Sequence, residues 1–115
     1  MVKNCIFCKI IKQEVKSEIL DNSDNFVVIN DANPVAEGHC LIISKKHYET
    51  IFDMPNTLGS ELIKLIKKHG LRLIKEGKAQ GIKLVSNNYG AAGQVVPHLH
   101  IHIIPHLEGS KVKGV

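Results

Sequence analysis

The segment His98-Leu99-His100-Ile101-His102-Ile103-Ile104 constrains this chain more than any other, because imidazole and aliphatic side chains alternate along it without a break. A period of two belongs to a β-strand, so the segment predicts a strand over Leu99 to Ile104. All three imidazoles then lie on one face, with Leu99, Ile101 and Ile103 on the other, which belongs to a core. Three imidazoles in register are costly for stability alone, since a polar group removed from water without a partner costs about 1–3 kcal/mol. The histidine face therefore implies a bound group. Spacing leaves two readings open: His-x-His on a strand can give ligands to zinc, or the rings can carry out nucleophilic and acid–base work on phosphorus. Just upstream, Asn87 to Gln94 holds Gly90 and Gly93, which permit close backbone approach, and the amide of Gln94. A phosphate can be cradled by such a turn.

The remaining chain reads as support for that strand. With 115 residues, 43% of them hydrophobic, it can bury a core without disulfide staples, as one domain over 1–115 whose residues 109–115 form a fraying tail. Phe26 to Ile29 and Cys40 to Ile43 are apolar, β-branched runs closed by turn-formers or charge, and predict buried strands; Ile82 to Ser86 alternates, and a short strand is expected near Ile19-Leu20. Between Asn56 and Gly77, Leu58, Leu62, Leu65, Ile66 and Leu73 form the stripe of an amphipathic helix, with Asn56 or Thr57 as its cap and Gly77 as its stop. His69, beside lysines, and His106, after Pro105, read as solvated. Strands joined by short connections and one long helix give an α+β class.

Charge narrows the partners. The net charge of +4 suits an anionic ligand, but the lysines are spread and no basic block interleaves with aromatics, so no specific nucleic-acid partner is expected. No run approaches the ~18 apolar residues of a membrane span, and the N-terminus has no signal-peptide core, so no membrane association and a cytoplasmic location are expected. Three cysteines are an odd number, read as reduced thiols; Cys5-x-x-Cys8 alone supplies half of a tetrahedral metal set.

Taken together, these motifs resemble the histidine triad (HIT) superfamily, closest to its Hint-like nucleoside-phosphoramidase branch. The resemblance runs almost end to end: His98 to Ile104, Cys5 to Ile11, Asp31 before the Pro34–Gly38 turn, Gly38-His39 leading into Leu41-Ile42-Ile43, Lys46-His47, and Asn87 through Gly93-Gln94. It implies about five antiparallel strands with one long helix and a short N-terminal helix, in a homodimer whose central strands pair into one continuous sheet. It implies a purine nucleotide substrate and release of a nucleoside 5'-monophosphate, AMP foremost, from an amine, acyl or phosphate leaving group.

His100 would be the nucleophile of a nucleotidyl-histidine intermediate, with a backbone carbonyl on its Nδ1–H keeping Nε2 free. His102 and His39 would contact the α-phosphate, assisted by Asn87, Gln94 and the Gly93 amide. Asp31 would take the ribose hydroxyls, and Phe7, Ile10, Val15, Ile29 and Ala32 would line the base pocket. Each of those apolar residues reads more readily as plain core than as a ligand contact, and Asp31 also reads as an Asx-turn residue before Asn33-Pro34. The resemblance also implies a structural Zn2+ on Cys5, Cys8, His47 and His98; four protein ligands leave no open position for catalysis. Cys40 matches neither role and is expected to be buried. Val95 stands where Hint-like members often carry Ser or Thr, and many relatives continue beyond the position of Val115. The same residues would also suit a nucleotidyl transferase, a purine-nucleotide-binding scaffold or a metal-dependent hydrolase.

Overall fold

The computed structural model describes residues 4–110. Of the expected tail, residues 111–115 lie outside that range, while Gly109 and Ser110 sit in a turn closed by Ser110 N–H on the Leu107 carbonyl at 3.0 Å. The strands are β1 Ile19–Asn22, β2 Phe26–Asn30, β3 Cys40–Ser44, β4 Gly81–Val85 and β5 His100–His106; the helices are α1 Ile6–Ile11 and α2 Gly59–Lys75. The strands form one sheet in the order β1-β2-β3-β5-β4, every neighbouring pair antiparallel. The α+β architecture of five antiparallel strands, one long helix and a short N-terminal helix is thus the one expected.

Both sheet faces are covered. On one, Phe26, Val28, Cys40, Ile42, Leu99, Ile101 and Ile103 pack against Leu62, Leu65 and Leu73 of α2. On the other, Val27, Ile29, Leu41 and Ile43 pack against Cys5, Phe7, Cys8 and Ile10 around α1. Burial on both sides is why β2 and β3 read as unbroken apolar runs rather than alternating ones. It also means that the histidine face of β5 looks into a space roofed by α1 instead of open water.

The final strand begins one residue later than expected and runs two further, pairing Pro105 with Ile82 and His106 with Gly81. Leu99 N–H instead donates to the Tyr48 carbonyl at 2.7 Å. The start of α2 also differs. Asn56–Leu58 form a 3-10 turn before it, so Asn56 and Thr57 are already wound into helical backbone and neither caps; the N-cap of α2 is Leu58, without a side-chain bond. The stop is Gly77 at φ +76°, with Gly77 N–H on Ile74 O and Lys78 N–H on Leu73 O.

His69 is not solvated. It continues the buried stripe Leu62, Leu65, Leu73 and is 3% exposed. Its Nδ1 accepts from Arg72 Nε–H at 3.2 Å, so Nε2 carries the proton donated to Asp21 Oδ2 at 2.8 Å, tying α2 to β1. Glu61 makes a second tie, accepting from the Asn25 backbone and side-chain amides at 2.8 Å each and from Ser23. His106 is half-buried on β5 rather than in a tail. Cys40 is fully buried, and burial pushes its thiol up to about 11 against the pull of Arg72.

Candidate functional site

Strand alternation delivers His98, His100 and His102 to the α1 face, where their backbone partners assign the ring protons. His100 Nδ1 lies 2.7 Å from the His98 carbonyl oxygen. A carbonyl can only accept, so Nδ1 carries the hydrogen and Nε2 keeps its lone pair. Phe7 packs edge-on to this ring at 4.9 Å between centroids, fixing its tilt.

His39, at the start of β3, is buried behind His102. Val35 N–H donates to its Nδ1 at 3.2 Å, so its Nε2 holds the hydrogen, 2.9 Å from His102 Nδ1 and 3.2 Å from Asp31 Oδ2. Accepting at Nδ1 leaves His102 with its hydrogen on Nε2. Burial, then the neighbouring His100 and His39 rings, holds His102 down at about 4, and burial lowers His39 against the attraction of Asp31. Both rings are therefore neutral at pH 7, and the chain Val35 N–H to His39 to His102 ends in one remaining N–H. Asp31 divides its carboxylate: Oδ1 accepts from Asn33 N–H at 2.8 Å in an Asx turn, and Oδ2 faces His39, with His102 Nδ1 3.7 Å away.

These groups border a cavity of about 540 Å3. Its wall contains His100, His102, Asp31, Asn87, Gly93 and Gln94, together with Phe7, Ile10, Val15, Ile29 and Ala32. His39 is absent from the wall, both ring nitrogens being engaged inside the protein. Gln94 lines the cavity, but its amide is engaged by backbone: Oε1 accepts from Tyr89 N–H at 2.7 Å and Nε2 donates to Glu49 O at 2.6 Å. Asn87 Nδ2 donates to Gly93 O at a long 3.4 Å. Lys16 and Ser17 also line the wall; they follow α1 in an unpatterned stretch, and no motif signals them. The arrangement can present a lone pair at His100 Nε2 and donors around it to an electrophilic, negatively charged centre.

A second cluster lies at the head of the same strand. Cys5 Sγ, Cys8 Sγ and the Nδ1 atoms of His47 and His98 all fall within 4.8 Å of one another and could hold a metal. His98 Nδ1 is 3.2 Å from Cys5 Sγ and 3.6 Å from Cys8 Sγ, and His47 Nδ1 is 3.2 Å from Cys8 Sγ. His98 Nε2 donates to the Ser44 carbonyl at 2.7 Å, which turns the Nδ1 lone pair to the thiols; burial above all holds this ring at about 4, unprotonated as a ligand must be. Cys5 caps α1, accepting from Cys8 N–H. Two thiols and two imidazoles at these separations fit tetrahedral zinc.

The HIT domain profile matches residues 12–109, from just after the two cysteines to the end of the final turn. The chain belongs to the HIT domain family. Among its HIT relatives, an uncharacterized HIT-like protein of Methanocaldococcus jannaschii is 40% identical over 105 residues, covering 91% of this chain and 81% of that one. The adenosine 5'-monophosphoramidase of Candida albicans is 35% identical, covering 97% of this chain and 76% of its own. A zinc-bound histidine triad family protein from Mycobacterium smegmatis superposes with a TM-score of 0.86 at 28% identity, covering 96% of this chain and 80% of that one. A nucleotide hydrolase-like function in general follows from this membership. No helix among the described residues is long and apolar enough to cross a membrane.

Proposed function

We propose that this chain, acting as one HIT domain, hydrolyses adenosine 5'-phosphoramidates and related nucleotide esters through a nucleotidyl intermediate on His100. The observation that carries the reading is the 2.7 Å contact between His100 Nδ1 and the His98 carbonyl, which leaves Nε2 as a free nucleophile facing the cavity. Attack of Nε2 on the α-phosphorus breaks the bond to the leaving group, and the carbonyl on Nδ1–H offsets the positive charge that develops on the ring. The His102 Nε2–H donates to a phosphate oxygen. His39 acts through His102 as a positioning residue, rather than touching phosphate itself, because its ring is enclosed by Val35, His102 and Asp31. The Gly93 N–H, expected to assist at the phosphate, is instead turned back onto the Gly90 carbonyl at 3.0 Å, so that it and Gln94 hold the loop rather than the phosphate. Water then attacks the same phosphorus, releasing the nucleoside monophosphate and restoring His100.

Asp31 and Asn87 serve the sugar and phosphate in this reading, and Phe7, Ile10, Val15, Ile29 and Ala32 hold the base, an apolar end next to a polar one as nucleotide sites require. Cys5, Cys8, His47 and His98 hold a structural Zn2+. With every position taken by protein, the ion pins α1 and its Phe7 to the head of the histidine strand and supplies no chemistry of its own.

The homodimer is supported by the place of β4 at the edge of the sheet, where the strand order ends. Leu84 of β4 is exposed, Gly70 of α2 lies against Ile82 of the same strand, and Ile63 and Ile74, which share the Gly70 side of the helix, are exposed as well. A second copy adding its own β4 would extend the sheet and cover this strip. Cysteines held as thiols rather than as disulfides support a reducing, cytoplasmic setting. The test is AMP release from adenosine 5'-phosphoramidate: wild-type protein turns it over, and His100→Asn loses at least about 1,000-fold in kcat, as removal of a covalent nucleophile does. Turnover retained by His100→Asn would refute the reading.

A further inference from the structure

Helix α1 belongs to two sites at once. Cys5, its N-cap, and Cys8, in its first turn, meet His47 and His98 at the head of β5, while Ile6, Phe7 and Ile10 line the histidine cavity. Phe7 lies in sequence between the two cysteines and packs edge-on against two imidazoles. Its ring centroid is 5.7 Å from that of His98, in the metal cluster, and 4.9 Å from that of His100, in the cavity. His98 joins the sites a second time: its ring faces the thiols, while its backbone carbonyl accepts from His100 Nδ1–H at 2.7 Å. Whatever fixes Cys5, Cys8 and His98 therefore also fixes part of the cavity wall, the tilt of His100 and the acceptor that sets its ring protons.

The helix that carries this connection is too short to hold itself. α1 spans six residues, and helices shorter than about 12 residues are marginal in water on propensity alone. Its apolar residues pack on Val27, Ile29, Leu41 and Ile43 of the sheet. Beyond its end, however, Gln13 stands at φ 63°, a left-handed conformation that a residue with a Cβ adopts at a cost, so the helix is closed against backbone preference. A short element under strain at one end belongs to the low-stability part of a fold.

A group bound on either side of α1 supplies order that the other would otherwise have to supply. Zinc on Cys5 and Cys8 ties the first turn to His47 and His98. A nucleotide in the cavity packs on Ile6, Phe7 and Ile10. The entropy of ordering one helix is lost once, so the second ligand meets a helix already in place and binds more tightly. Linkage makes the effect reciprocal and equal in size.

We propose that zinc at Cys5, Cys8, His47 and His98 and a nucleotide in the histidine cavity bind cooperatively through α1, with Phe7 as the coupling residue, so that zinc supply regulates how far the nucleotide site is filled. The inference rests on the nucleotide reading of the cavity and the zinc reading of the cluster.

The test uses AMP, which binds without turnover. Zinc affinity is measured by competition with a chromogenic chelator, with and without saturating AMP, and AMP affinity by calorimetry on zinc-loaded and zinc-depleted protein. AMP should tighten zinc about fivefold or more, and zinc should tighten AMP by the same factor. Free AMP can only draw zinc away from the protein, so it cannot imitate this result. Phe7→Ala keeps all four ligands and should still take up stoichiometric zinc, with the coupling lost. In zinc-depleted protein, AMP should also slow hydrogen exchange of the Lys9 and Lys12 amides, which bond to the Cys5 and Cys8 carbonyls at 3.1 and 3.0 Å. Equal AMP affinity with and without zinc, or coupling that survives Phe7→Ala, overturns the linkage and leaves both site readings standing. Unchanged exchange of those two amides overturns it as well. If zinc depletion abolishes the circular dichroism of the whole fold, the ion is a global requirement and the linkage through α1 is refuted. Failure of AMP to bind either form removes the nucleotide reading, and failure of zinc to bind removes the zinc reading; each takes the linkage with it.

Discussion

Gly38 is where fold and site depend on the same atom. Its φ is +93°, and a Cβ built there would lie 2.6 Å from Leu73 Cδ2 and 3.3 Å from Lys78 Cδ. The lysine end can move aside; Leu73 cannot, being fully buried in the core formed by α2 and the sheet. In Gly38→Ala the left-handed backbone costs about 1–2 kcal/mol, and the crowding of Leu73 about 1–3 kcal/mol more. The sum, about 3 kcal/mol, would move a urea midpoint down by roughly 1–2 M for a chain of this size. Because His39 follows directly, and its N–H closes the turn on Ala36 O at 3.1 Å, any shift that relieves the clash also displaces the His39–His102 contact. Stability is to be measured by urea unfolding monitored by circular dichroism at one fixed metal loading, with the ring environment of His102 followed by NMR. A midpoint within about 0.3 M of wild type would refute the packing argument, because neither cost could then be real.

Asp21 gives a pH-dependent test. Its carboxyl is held at about 2, chiefly by Lys68, with His69 and the Asn22 amide also lowering it. A lowered carboxylate stabilises the fold above its unfolded value near 4 and loses that contribution as pH falls from about 4 towards 2; Lys68 is 63% exposed, so solvent reduces the gain to about 1 kcal/mol. Asp21→Asn should therefore be less stable than wild type at pH 7 and nearly equal to it at pH 2, by chemical denaturation; a gap unchanged by pH would contradict the assignment. Tyr89 stands at φ 74° and ψ 154°, where essentially glycine alone is unstrained, so Tyr89→Gly should raise stability by about 1–2 kcal/mol in the same assay, and a loss would show that the ring is held by packing instead. Cys5→Ser and Cys8→Ser should each abolish stoichiometric zinc measured by elemental analysis, whereas Cys40→Ser should not; zinc retained without both cysteines would place the metal elsewhere.

Much of this was legible in the sequence for a physical reason. The period of two in the histidine strand survives in the structure because its aliphatic face is buried under α2 while its imidazole face meets α1. Double-sided burial of β2 and β3 made them continuous apolar runs. The less legible features depend on partners distant in sequence. His69 looked like a solvated residue among lysines, yet the i, i+4 spacing from Leu65 and to Leu73 already placed it on the buried stripe. His39 could be matched to phosphate contact by motif, but its enclosure requires Val35 and Asp31 from the β2–β3 connection and His102 from β5 to converge on it. Gln94 looked free to hold phosphate because nothing local announces that Tyr89 and Glu49 would engage both ends of its amide. Asn56 and Thr57 had the right chemistry for a cap, but Pro55 starts a 3-10 turn that winds them into the helix instead.

The central claim is a covalent bond between His100 and the nucleotide, and intact mass tests it most directly. Wild-type protein mixed with an adenosine 5'-phosphoramidate and rapidly quenched without acid should gain the mass of one adenylyl group, and His100→Asn should gain none. An adduct of the same mass on His100→Asn, or AMP release by wild-type protein with no adduct at any quench time, would contradict the account.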